Sequence, residues 1–146
     1  MSRKIFSYTL VTIQLSCITA IFLTAHFIAH QWYWLLLEVL ALALGLSAIY
    51  TMRVGNFNVV PDIKDDAILV RRGVYKFIRH PMYTSVLLAT LAVVIDAFTM
   101  LRLSIWILLL IVLLVKLHYE ERLLVKHFSE YRDYQKQTKK LIPYVF

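Results

Sequence analysis

Two short blocks of this chain hold most of its chemically capable side chains. The first, Gly73-Val74-Tyr75-Lys76-Phe77-Ile78-Arg79-His80-Pro81-Met82-Tyr83, gathers a guanidinium, an imidazole and two phenols around one proline. Proline is tolerated at the first turn of a helix, where its missing N–H would have been unpaired anyway. Arg79 and His80 are therefore expected at a helix entrance, where backbone N–H groups favour an anion. The second block, Lys116-Leu117-His118-Tyr119-Glu120-Glu121-Arg122, sets two carboxylates side by side. Adjacent residues on a helix point about 100° apart, so the two glutamates are expected to divide the work. Glu121 is the one expected inward, because Leu117, Leu124 and Phe128 lie at helical offsets from it and share its stripe. A cation, carboxylates and aromatic faces suit a ligand that carries both an anion and an onium group.

The elements that position these blocks are apolar runs. Residues 5–25 carry no Asp, Glu, Lys, Arg or His, and at roughly 1.5 Å per residue they cross a hydrocarbon core of about 30 Å. That length exceeds the apolar core of a cleaved signal, so the run is expected as a true span despite Arg3 and Lys4 before it. Residues 32–52 form a second span, opened by Trp32, Tyr33 and Trp34 and interrupted only by Glu38. Few residues join the two, which predicts antiparallel neighbours. Residues 53–80 are polar, and Asn56, Asn58, Pro61, Asp62, Lys64, Asp65 and Asp66 predict a loop outside the bilayer. Residues 81–95 and 103–115 are shorter apolar runs, expected as a helical hairpin whose turn holds Asp96 and Arg102. Beyond Lys116 a stripe of Leu124, His127, Phe128, Tyr131 and Tyr134 predicts that the last helix continues along the membrane surface. The fold class expected is all-α, a single polytopic membrane domain with about four transmembrane helices and a cytoplasmic, partly amphipathic C-terminal helix.

Composition agrees with a lipid solvent. Of 146 residues 60% are hydrophobic and only 17% charged, too apolar for an ordinary soluble domain. The net charge of +7 fits anionic headgroups better than nucleic acid, for which no binding motif is present. Under four spans, fifteen of the sixteen Lys and Arg fall on one side and only Arg102 on the other. The positive-inside rule then places both termini and the central loop in the cytoplasm. The lone Cys17 excludes an intrachain disulfide and a thiol metal cluster, and three glycines exclude a glycine-rich dinucleotide fingerprint.

The order Gly73-x-Tyr75-x-x-x-Arg79-His80-Pro81-x-Tyr83, a hairpin, Glu120-Glu121-Arg122-x-Leu124, Phe128, Tyr131-x-x-Tyr134 and Ile142-Pro143 resembles the isoprenylcysteine carboxyl methyltransferase and phospholipid methyltransferase superfamily. The likeness covers roughly residues 69–143. It implies that S-adenosylmethionine is held at the membrane interface by the Arg-His-Pro and two-glutamate segments, while a lipid-like acceptor enters sideways from the bilayer. Tyr75, Arg79, His80, Pro81, Tyr83, Glu120, Glu121 and Tyr131 are the residues implied at the cofactor, with Glu121, Glu120 and Arg79 nearest the chemistry. Ser85 and Ser129 stand where such enzymes often carry glycine. Lys116-Leu117-His118 stand where the carboxyl methyltransferases resemble one another in carrying an arginine. A carboxylate acceptor suits a guanidinium fork, so this departure counts against the isoprenylcysteine branch specifically. Methyl transfer needs a nucleophile placed in line with the sulfonium in a dry pocket, so few catalytic groups are expected.

Blander roles compete for the same residues. Arg79 and His80 also suit lipid phosphate, the glutamates a solvated face paired with Lys116, Arg122 or Lys126, and the tyrosine-rich tail a surface anchor. Glu38 is costly inside a span, although near its outer end it can snorkel. His26 and His30 have i, i+4 spacing, but two ligands with no acid or thiol nearby do not close a metal site, and interfacial anchoring is expected. Nothing in the sequence assigns His118 or His127. A noncatalytic scaffold that keeps the fold, and a membrane reductase of the sterol or steroid type, are the competing functions.

Overall fold

The computed structural model describes residues 3–52, 60 and 68–146. Helices α1 (Arg3–Thr24) and α2 (Trp32–Met52) are followed by a 3-10 turn at Gly73–Lys76 and then by α3 (Pro81–Asp96), α4 (Met100–His127) and α5 (Tyr131–Gln137). Most of the polar loop expected between α2 and the turn, from Asn56 to Asp66, lies outside the described residues. Among the described residues the architecture is all-helical, and a single parallel bridge pairs Ile78 with Lys139.

Three helices, α1, α2 and α4, are long and apolar enough to cross a membrane, and α3 is a shorter apolar helix of 16 residues. Leu36, Leu40, Leu46, Leu108 and Ile111 all face outward. Helices that are apolar on their outer faces need lipid around them. The chain is a polytopic integral membrane protein.

The packing order differs from the one expected. α1 packs chiefly on α4 and α2 chiefly on α3, while α1 and α2 make little contact with each other. Two complementary surfaces explain this. On α1, the buried Ser7, Leu10, Gln14, Cys17 and Ile21 recur at alternating steps of three and four, a seam that fits against Leu109, Leu113 and Leu117 of α4. On α2, Ala41, Gly45 and Ala48 form a small-residue stripe that lets α3 approach closely. A Cβ on Gly45 would stand 2.5 Å from the Ser85 hydroxyl oxygen, and that hydroxyl donates to the Ala41 carbonyl at 2.7 Å. Ser85 is thus explained as a helix–helix contact.

Polar side chains stitch the opposite end of the bundle together. Asp96 accepts from the backbone N–H of His30 (2.7 Å) and Gln31 (3.0 Å), and Arg102 donates to the carbonyls of Thr24 and Ala97. Glu38 is not a snorkelling acid. It is buried and accepts from the Ala29 N–H at 3.1 Å, tying the connector between α1 and α2 to α2. His30 does have an acid nearby, because the fold brings Asp96 to 3.5 Å from its Nδ1. His26 meets His30 edge to face.

At 28 residues α4 is about 42 Å long, more than the hydrocarbon core needs, so its last turns stand beyond the apolar layer. The helix does not run on into the tail as expected. It ends at His127, Phe128 takes an extended conformation (φ −110°, ψ 116°), and α5 starts afresh at Tyr131. No proline or glycine marks this break. What it gains is burial of Tyr131 and Tyr134, whose rings turn into the protein and not onto a membrane surface. The Arg71–Glu130 ion pair closes the corner.

Candidate functional site

The site forms where four elements meet: the 3-10 turn and the start of α3, the last turns of α4, α5, and the tail after it. Gly73 allows the turn to reach α2. Its φ of +58° is left-handed, and a Cβ there would stand 2.8 Å from the Thr51 hydroxyl. Pro81 opens α3 as expected, with His80 at the N-cap position.

Arg79 and Glu121, assigned separate tasks from sequence, are partners. The guanidinium Nε donates to Glu121 Oε1 at 2.6 Å, and both side chains are almost fully enclosed. His80 stands between the two acids, with Nε2 3.4 Å from Glu121 Oε1 and Nδ1 3.9 Å from Glu120 Oε2. Its ring stacks on Tyr83, with centroids 5.3 Å apart and planes within 6°. The Tyr83 hydroxyl donates to Glu120 Oε2 at 2.6 Å. The helical phase read for α4 holds at its centre. Glu121 and Leu117 are buried, Glu120 is half-buried, and Leu124 and Phe128 are only partly covered.

The tyrosines separate into two kinds. Tyr131 is fully enclosed, and its hydroxyl has no hydrogen-bond partner among the described residues. Tyr75 is buried too, but its hydroxyl lies toward Met52 on α2 while its carbonyl accepts from the Tyr134 hydroxyl at 2.6 Å. Burial first, and then the nearby glutamate charge, pushes the Tyr75 and Tyr131 phenols well up. Tyr134 is pushed up to about 12, again chiefly by burial. All three are neutral at physiological pH.

The anion site expected at the entrance of α3 is filled largely from within the chain. The N–H groups of Arg79 and His80 donate to the carbonyls of Lys139 (2.8 Å) and Lys140 (3.0 Å). The Tyr83 and Thr84 N–H groups turn back to His80. Thr138 and Gln135, absent from the sequence reading, both touch the Arg79–Glu121 pair. Gln135 on α5 and Thr138 just after it lie between the positions quoted for the likeness, and only the fold shows them.

The blander reading paired Lys116 with the glutamates on a solvated face. It is instead buried, its Nζ donating to Gln14 of α1 at 2.8 Å and lying 5.2 Å from the Tyr83 ring centroid. His118 and His127 are exposed and point away from the acids, His118 toward Lys140 and His127 onto Phe128.

Residues 34–126, well over half the chain, match the model of the isoprenylcysteine carboxyl methyltransferase (ICMT) family. The chain belongs to that family. The matched region holds both polar blocks, so the Arg79–Glu121 and Tyr83–Glu120 pairs join segments that this methyltransferase family itself contains. It omits α1, α5 and the tail, which supply Gln14, Tyr131, Gln135 and Thr138. Lys116, which counted against the isoprenylcysteine branch, does not take the chain out of the ICMT family. No curated protein matches the chain.

Proposed function

We propose that this protein transfers a methyl group from S-adenosylmethionine to a lipid-like or isoprenoid acceptor at the cytoplasmic face of the membrane, with both termini on that face. The observation that carries this reading is the convergence of His80, Tyr83, Glu120 and Glu121 from two distant segments, near the enclosed hydroxyl of Tyr131, which has no hydrogen-bond partner among the described residues. These residues fit such a cofactor. Two carboxylates can face an ammonium or sulfonium, the stacked His80–Tyr83 pair offers an aromatic surface, and the Tyr131 hydroxyl is left to bond a polar atom.

When bound, S-adenosylmethionine supplies a methyl group activated by the positive sulfur. The residues of the chain bind, orient and exclude water. Arg79 and His80 hold Glu121 in one orientation, Tyr83 holds Glu120, and Pro81 lets α3 begin beside them without a stranded donor. Tyr75 and Tyr131, kept neutral by burial, provide walls without adding charge. Such a site accelerates the reaction by placement and desolvation more than by proton transfer.

Calorimetric titration of the detergent-solubilised full chain tests the reading. S-adenosylhomocysteine is expected to bind and a reduced nicotinamide cofactor is not. Nicotinamide binding would place the chain with the membrane reductases, and binding of neither would leave a scaffold.

A further inference from the structure

The tail beyond α5 reaches the centre of the site. Its backbone is fixed against the segment before α3 and the first turn of α3: Lys139 N–H donates to the Phe77 carbonyl at 3.1 Å, and the Thr84 hydroxyl donates to the Leu141 carbonyl at 2.8 Å. This docking delivers Thr138 to Arg79. The guanidinium Nη1 donates to both the carbonyl and the hydroxyl of Thr138, the latter at 3.2 Å, and to the Gln135 carbonyl at 3.2 Å. The Thr138 hydroxyl donates onward to the Tyr134 carbonyl at 2.6 Å, which fixes the direction of its lone pairs. Gln135 Nε2 lies 3.4 Å from the second oxygen of Glu121.

A guanidinium held at one edge by a carboxylate can still swing about that contact. Acceptors on its other nitrogen remove that freedom. We propose that Thr138 is a positioning residue: it holds the Arg79 guanidinium, and through it the Glu121 carboxylate, in the orientation the site uses. The reading of Glu121 as facing the cofactor rests on the proposed function, whereas the coupling of Thr138 to Arg79 does not. Thr138 lies outside the family-matched region, so its part in the site rests on the contacts it makes in this structure.

Four full-length chains test this: wild type, Thr138→Val, Arg79→Ala and the double variant, with Thr138→Ser as the conservative control. Valine keeps the shape and the backbone acceptor but loses the hydroxyl. Thr138→Val is expected to weaken S-adenosylhomocysteine binding on the order of tenfold, as for one hydrogen bond to a charged group, and Thr138→Ser to stay within about threefold of wild type. In the Arg79→Ala background the valine should add less than about threefold, since its partner is gone. Equal losses in both backgrounds would show that the hydroxyl serves only the local end of α5 and would overturn the proposal, as would an unaffected Thr138→Val. If wild type binds no S-adenosylhomocysteine, the proposed function fails. The coupling is then read from the melting midpoints of the same four chains, where non-additivity supports the Thr138–Arg79 link and additivity overturns it.

Discussion

Replacing each of the two glutamates by glutamine separates their roles, because the two carboxylates have different partners. The Glu121 side chain is 10% exposed and that of Arg79 6%, so neutralising the acid strands a buried guanidinium. Breaking a buried ion pair from one side costs about 3–5 kcal/mol, a large share of the roughly 5–15 kcal/mol that holds a domain together. Glutamine also turns an N–H₂ group toward donors on Arg79, His80 or Gln135, which leaves some of them unpaired. The Glu120 side chain is 28% exposed, and its glutamine replacement keeps a carbonyl oxygen for the Tyr83 hydroxyl. That change costs about 1 kcal/mol. Taking about 3 kcal/mol into the barrier predicts a turnover loss of roughly a hundredfold for Glu121→Gln, against about fivefold for Glu120→Gln. The assay is transfer of labelled methyl from S-adenosylmethionine to a short S-prenylated N-acetylcysteine bearing a free carboxylate, with melting measured on the same preparations. A larger loss for Glu120→Gln would refute the assignment of Glu121 as the central acid. Full activity in both variants would remove the two acids from the mechanism altogether.

Arg79→Ala and His80→Ala should each lower S-adenosylhomocysteine affinity by roughly ten- to hundredfold, the effect of losing a charge-assisted contact. Unchanged titrations for both would remove Arg79 and His80 from the cofactor site and leave them the internal pairing with Glu121. In a Cys17→Ala background, Ser2→Cys and Phe98→Cys should react with an impermeant maleimide from opposite faces of sealed vesicles, and labelling from the same face would overturn the four-span orientation. Gly73→Ala should lower the melting midpoint through a cost of about 1–2 kcal/mol, since the new methyl meets Thr51 and the left-handed backbone disfavours it. An unchanged midpoint would show that the turn at Gly73 tolerates an ordinary residue.

Local signals in the sequence determined the membrane class, the extent of α2 (Trp32–Met52), the start of α3 at Pro81, and the inward phase of Glu121. Each depends on a run of neighbouring residues: unbroken hydropathy, a proline without a donor, or the fixed rotation per residue of a helix. A hairpin between the two polar blocks was enough to predict that the blocks lie near each other. Which atoms pair was decided by the tertiary structure. Arg79 met Glu121 42 positions away and Thr138 59 positions away, because α5 and the tail fold back over the entrance of α3. The break after His127 carries no glycine or proline, and it exists because two tyrosines are better buried than laid on the surface. Similarly, α1 and α2 separate although a short connector joins them. Each finds its complementary surface, a heptad seam or a stripe of small residues, on a helix far along the chain. Chain proximity bounds how far apart two helices can start, while side-chain shape decides which faces remain in contact.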